Sequence, residues 1–138
     1  MTERKLPFEP TFLTLDEVLE IHEQQIEMYG GSHGLRDAGA LESAVAVPQA
    51  TFGGEYLHST IWQMAAAYLY HLVENHAFID GNKRVGANAA ITFPYLNDWE
   101  MNASESGLVE LVLGVAQGRV FKEEIASFLE ANCTKAGR

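Results

Sequence analysis

Apolar residues recur along this chain at three- and four-residue intervals far more often than at alternate positions, a pattern that predicts helices almost throughout. In the first of them Leu15, Val18, Leu19, His22, Ile26 and Tyr29 fall on one face. Thr14 precedes that run and Glu17 follows it at the spacing of a capping box, in which each side chain satisfies a backbone donor of the other residue. Gly30 and Gly31 then supply the left-handed turn that ends a helix. A shorter helix is predicted from Asp37, its cap, to Val47, where Pro48 stops it because proline has no N–H to continue the ladder.

Residues 50–59, ATFGGEYLHS, break the helical period: a Gly-Gly pair lies between short alternating stretches and reads as a loop or small hairpin. From Thr60 a long helix carries Ile61, Ala65, Tyr68, Leu69, Leu72 and Val73, and its alanines 65–67 allow a second helix to approach closely. That second helix starts near Asn82 and turns Val85, Ala89, Ala90, Phe93 and Leu96 inward, with Pro94 expected to kink or loosen its last turn. Ser104 caps a further helix bearing Leu108, Leu111, Val112 and Val115 and ended by Gly118. A last helix faces Ile125, Phe128 and Leu129 to the core and trails into a polar tail. The expectation is an all-α bundle with one small β-hairpin flap. With no repeat and no linker in the pattern, residues 1–138 are expected to form a single domain.

A hydrophobic content of 47% beside 20% charged residues is that of a soluble globular protein. The net charge of −10 argues against nucleic acid and against anionic membrane as partners, since both need a clustered basic face. No stretch approaches the ~20 apolar residues of a membrane helix, and MTERKLPFEP at the start lacks the apolar run of a secretory signal. Cys133, the only cysteine, has no partner for an intrachain disulfide or a thiol metal site, which fits a reducing cytoplasm.

Against that background residues 75–86, NHAFIDGNKRVG, carry chemistry that packing does not ask for. They span the end of one central helix, a tight loop and the start of the next, and a helix N-terminus offers free N–H groups and partial positive charge to phosphate. Gly81 lets the chain turn, and Asn82 and Lys83 come where free amides point outward. Asp80 is a hard oxygen ligand suited to Mg²⁺, Arg84 can clamp phosphate oxygens, and Phe78 can anchor the loop by burying its ring. His76 is the side chain that accepts a proton near neutral pH, the candidate base for activating a hydroxyl. Together they describe phosphoryl or nucleotidyl transfer. Spacing alone leaves a plainer reading open: Asp, Gly and Asn favour turns, and Lys83 and Arg84 can be solvated charges.

The same segment resembles the Fic/Doc (Fido) signature. Its nucleotidyl-transferring members carry H-x-F-x-[D/E]-G-N-G-R-x-x-R, and its death-on-curing (Doc) branch carries H-x-F-x-D-x-N-K-R; here the matching residues are His76, Phe78, Asp80, Gly81, Asn82, Lys83 and Arg84. The flanking helices resemble the Doc branch as well, from about Phe12 to Leu129. The resemblance implies a Fido-type helical bundle acting as the toxin of a toxin–antitoxin module, with ATP and Mg²⁺ as cofactors. Lys83 stands where the nucleotidyl-transferring group has a glycine, and Ala87 where it has a second arginine. In the Doc branch such changes accompany ATP bound in the reversed sense, so phosphate transfer to a Ser or Thr hydroxyl is favoured over AMP transfer. Gly81, where the prototype of that branch has alanine, leans towards the wider family.

By that resemblance His76 deprotonates the target hydroxyl, Asp80 holds Mg²⁺, and Gly81, Asn82, Lys83 and Arg84 bind the phosphates and stabilise the group in transfer. The implied target is elongation factor Tu, with translation blocked. Residues 50–59 correspond to the family's flap, in which Thr51, Phe52, Gly53, Gly54, Glu55 and Tyr56 dock the target as an added strand; the plainer alternative is a surface loop. Self-inhibited members carry [S/T]-x-x-x-E-[G/N], but the nearest candidate, Ser106 to Glu110, is followed by Leu111. An antitoxin supplied in trans is therefore expected, as a helix in a groove beside the site. Two other functions stay in play: AMP or other nucleotidyl transfer to a protein hydroxyl, and a helical binding protein that does no chemistry. His22 reads as a core or boundary histidine, Trp62, Met64, Tyr68 and Tyr70 as core, and His33 and His58 receive no role.

Overall fold

In the computed structural model residues 9–137 are described; residues 1–8, read above as lacking a secretory signal, and Arg138 lie outside them. The first helix, α1 (Leu15–Tyr29), starts on the expected capping box: Glu17 N donates to Thr14 Oγ1 at 3.1 Å and Thr14 N donates to Glu17 Oε1 at 2.8 Å. Val18, His22 and Ile26 are buried, but the last turn runs past the core to the rim of a cleft, which leaves Tyr29 exposed. The second helix, α2 (Ala38–Ala46), is capped by the Asp37 carboxylate, which accepts from Ala40 N at 3.0 Å. Pro48 then sits in a 3₁₀ turn (Val47–Gln49), early enough that its missing N–H is not needed.

Strands β1 (Thr51–Phe52) and β2 (Glu55–Tyr56) pair antiparallel, with Thr51 opposite Tyr56 and Phe52 opposite Glu55. Gly53 and Gly54 take φ of 61° and 83°, the positive values that a tight two-residue hairpin turn demands. Helix α3 (Ile61–Glu74), capped by Thr60, is buried on nearly every side, and α4 (Asn82–Leu96) packs along it. Close approach was expected from the alanines of α3, but α4 supplies the decisive residue. A Cβ at Gly86 would stand 2.7 Å from Val73 Cγ2 and 3.2 Å from the Leu69 carbonyl oxygen. Helix α4 continues through Pro94 for two more residues and closes on a short-range bond from Asn97 N to Pro94 O at 2.9 Å.

The tail departs from expectation. Strand β3 (Trp99–Met101) precedes α5 (Glu105–Ala116) and α6 (Lys122–Ala131), and the chain beyond α6 returns as β4 (Cys133–Lys135), antiparallel to β3. Met101 faces Cys133 and Trp99 faces Lys135, so the bundle carries a second strand pair besides the flap. Cys133 and Ala136 are buried, yet two small apolar residues in a polar segment are too weak an alternation to announce a strand. One hydrophobic cluster, centred on α3, runs through α1, α2, α4, α5 and α6. Within it the Tyr68 hydroxyl accepts from Leu13 N at 2.9 Å and donates to Leu13 O at 3.3 Å, tying the segment before α1 to α3. No described helix is long and apolar enough to cross a membrane.

Candidate active site

Residues 75–81 join the two central helices, and their path is fixed by bonds that reach far along the chain. His76 takes a φ of +49°, a left-handed conformation that costs a residue with a Cβ about 1–2 kcal/mol. Its carbonyl accepts from Arg36 Nε at 2.8 Å, and the next carbonyl, that of Ala77, accepts from Arg36 N and Asp37 N at 2.7 and 3.0 Å. Leu35 forms a single antiparallel bridge with Phe78, and Ile79 N donates to Gly34 O at 3.1 Å. The segment 34–37 thus acts as a template strand for the loop.

Phe78 is 2% exposed and stacks on the His22 ring, centroid to centroid at 3.8 Å with only 7° between the planes. His22 Nε2 in turn lies 2.8 Å from the Asp80 carbonyl oxygen, so this ring carries its proton on Nε2 and donates it there. Asn82 closes the loop reciprocally: Phe78 N donates to its Oδ1 and its Nδ2 donates to Phe78 O, both at 3.0 Å. Both ends of its side chain are engaged by the loop, and its main-chain amide, at the start of α4, is the group left to face a ligand.

The Asp80 carboxylate accepts from Ser32 N at 3.2 Å and from Gly81 N at 2.9 Å. Those two bonds, in that order, followed by the nearby Arg84 and His22 charges, hold its carboxyl below the usual range; it is anionic at neutral pH. Gly81, at φ +85°, opens α4 without a capping side chain, so the first amides of the helix are uncovered. Arg84 Nη1 donates to the Gln25 carbonyl at 3.1 Å, which steadies the guanidinium against α1. Its Nη2 and Asp80 Oδ2 close around Gly31: a Cβ there would lie 3.0 and 2.7 Å from them, at a φ of +118°. Lys83 is exposed one residue earlier on α4.

Lys83, Arg84 and Ala87 edge a cleft of about 660 Å³ whose other walls come from the end of α1 and from α5, including Tyr29, Leu108 and Val112. Cations stand at one end of it and apolar side chains line most of the rest. The flap lies elsewhere along the chain: Thr51, Phe52, Gly53 and Gly54 are exposed, Phe52 to 81%, while Glu55 and Tyr56 are half-buried. Tyr56 secures it, donating to Glu9 Oε1 at 3.2 Å and contacting the Phe12 ring at 5.7 Å.

A carboxylate, an open helix N-terminus and two cations are thus gathered at one loop, and the sequence model of the Fic/DOC family covers this region, matching residues 12–94. The chain belongs to the Fic/DOC family. It is 37% identical to "Toxin Doc" of Mycolicibacterium smegmatis over 109 residues, 75% of this chain and 84% of that protein. It is 30% identical to "Protein kinase doc" of Escherichia phage P1 over 114 residues, 83% of this chain and 89% of that protein. In this Fic/DOC chain the signature residues are contiguous, but four residues that shape their loop were not picked out as site residues from the sequence: His22, Gly31, Ser32 and Arg36. His22 lay on an apolar face and looked like core. Gly31 acts by lacking a side chain, Ser32 through its backbone amide, and Arg36 through both its backbone N–H and its side-chain Nε on main-chain carbonyls, none of which leaves a periodic signal.

Proposed function

We propose that this protein is a Doc-type toxin that transfers a phosphate from ATP to a Ser or Thr hydroxyl of a target protein in the cytoplasm. The observation that carries the reading is the uncapped start of α4 with Asp80 pinned immediately before it and Lys83 and Arg84 immediately after. The residues present fit ATP with Mg²⁺. Asp80 is an anionic carboxylate whose oxygens each retain a free lone pair, and among the described residues no group of three or more His, Cys, Asp or Glu competes with it. A lone carboxylate completed by substrate phosphates is the usual setting for Mg²⁺. The γ-phosphate of bound ATP supplies the group transferred.

His76 takes the proton from the attacking hydroxyl, and it is exposed at the loop where a protein substrate can reach it. Asp80 holds Mg²⁺. The amides of Asn82, Lys83 and Arg84 and the two side-chain cations offset the charge of the phosphates, which is where phosphoryl transfer gains most of its rate. The long Lys83 side chain and the absence of an arginine at Ala87 favour transfer of phosphate over AMP. The flap holds the target by strand addition through its exposed backbone, and an antitoxin helix covers the apolar wall of the cleft to silence the toxin. Support comes from the relatives named "Protein kinase doc" and "Toxin Doc".

The test is intact-mass spectrometry of purified elongation factor Tu after incubation with the protein, ATP and Mg²⁺, alongside His76→Ala. A phosphate adduct missing from the variant supports the proposal and its target together. An AMP adduct overturns phosphate transfer. No adduct on elongation factor Tu, with a phosphate adduct on another protein of a cell lysate, overturns the target and keeps the chemistry.

A further inference from the structure

The template strand meets the signature loop almost entirely through main-chain groups: Arg36 N and Asp37 N to Ala77 O, Ile79 N to Gly34 O, and the bridge of Leu35 with Phe78. Main-chain bonds of this kind survive most substitutions. One tie is made by a side chain, and it lands on the carbonyl of His76 itself, 2.8 Å from Arg36 Nε. His76 is also the residue of the loop forced into the left-handed region, at φ +49°. Apart from glycine, Asp98 alone among the described residues shares that sign.

We infer that Arg36 is a positioning residue for His76, acting on the base through its backbone. The inference rests on the proposed role of His76 as base. A left-handed residue needs the peptide that follows it to be held, or it relaxes to an ordinary conformation and swings its side chain away. Arg36 Nε holds that peptide by its oxygen, and with the Ala77 carbonyl doubly bonded the plane cannot rotate. The direction of the imidazole from the His76 Cα is thereby set before any substrate arrives. The guanidinium suits the task because Nε–H lies in a rigid plane, whereas a lysine ammonium on a flexible stem fixes distance but not direction. Arg36 is itself exposed, so its removal leaves the core untouched.

The experiment compares the full-length protein with Arg36→Ala, Arg36→Lys and His76→Ala. Two readouts are taken: steady-state phosphate transfer to the target, and the Cα chemical shift of His76 in the substrate-free protein, which reports its backbone conformation. Arg36→Ala is expected to lower kcat by about ten- to a hundredfold, the range for a misplaced catalytic group. KM for ATP should stay within about twofold, because the nucleotide site proposed above, at the start of α4, does not use this side chain. The His76 Cα shift should move out of the left-handed range, and Arg36→Lys should recover part of both effects. A wild-type Cα shift in Arg36→Ala overturns the inference, as does a raised KM with unchanged kcat, which would make Arg36 a nucleotide contact. Full activity in His76→Ala removes the base itself and is recognised separately, since it leaves the Cα shift of the Arg36 variants to judge whether Arg36 sets that backbone.

Discussion

In the last turn of α3, the contact of His71 with the first residue of α6 makes the fold sensitive to acid. Lys122 Nζ donates to His71 Nε2 at 3.0 Å and lies 3.5 Å from His58 Nε2. Both imidazoles must be neutral to accept, and burial first, then the Lys122 charge, then His58 push the His71 pKa down to about 4 from 6.5. His58 is shifted in the same direction, by burial and then by Lys122. In the unfolded chain the His71 imidazole takes up its proton as pH falls through 6.5, whereas the folded protein resists until about 4. The unfolded state therefore binds more protons across that window: the contribution is fully present above 6.5 and is lost as pH falls towards 4. At 1.36 kcal/mol per pH unit the gap bounds the loss at about 3 kcal/mol. His71 is only half-buried, so solvent screening brings the expected loss to about 1–2 kcal/mol.

Urea unfolding followed by circular dichroism at about pH 7.5 and about pH 4.5 measures it, with His71→Gln as the reference. Glutamine keeps an acceptor for Lys122 but does not titrate, so the difference isolates the His71 proton with its coupling to His58, while the carboxylates titrate in both proteins and cancel. Wild type should lose about 1–2 kcal/mol more than the variant on acidification. Equal losses in the two proteins would refute the reasoning, because neither burial nor the Lys122 charge would then hold the His71 pKa down.

Two further substitutions test the packing. Tyr68→Phe removes the hydroxyl that serves both backbone groups of Leu13 in the core, and should cost about 1–3 kcal/mol in urea unfolding for the groups left unpaired; an unchanged midpoint would mean that Leu13 finds other partners. Gly86→Ala gains about 1 kcal/mol of helix propensity but drives a methyl against Val73 and the Leu69 carbonyl, an overpacking cost of about 1–3 kcal/mol. The variant should melt below wild type, and a higher melting temperature would show that α3 and α4 separate at little cost.

The helices were legible because their signals are local. Thr14 in its box with Glu17, Asp37 and Ser104 cap their helices as their positions suggest, and the apolar period gives the buried face of each. The β3–β4 pair was not legible, since its strands lie on either side of α5 and α6 and Cys133 is the one buried residue of the returning strand. The close contact of α3 with α4 was anticipated, but on the alanines rather than on Gly86, whose role depends on which faces meet. In the site, Phe78 buries its ring as the sequence suggested, while Asn82 spends its side chain on the loop itself.

The contrast has one physical origin. Asp80, Lys83 and Arg84 are adjacent in sequence because the N-terminus of a helix is a local structure, and a ligand there is met by consecutive residues. Their orientation is not local. The Asp80 carboxylate is held by Ser32 N and crowds Gly31, the loop before it is tied to Gly34 and Arg36, and the Arg84 guanidinium is held by the Gln25 carbonyl. Every residue except proline carries the same amide, so such bonds leave no mark on composition or period. A glycine with positive φ does leave a mark, but one shared with every ordinary turn. Substitutions in residues 31–36 that leave the whole signature intact should therefore be able to misdirect His76 and Asp80, and an intact signature alone does not guarantee an assembled site.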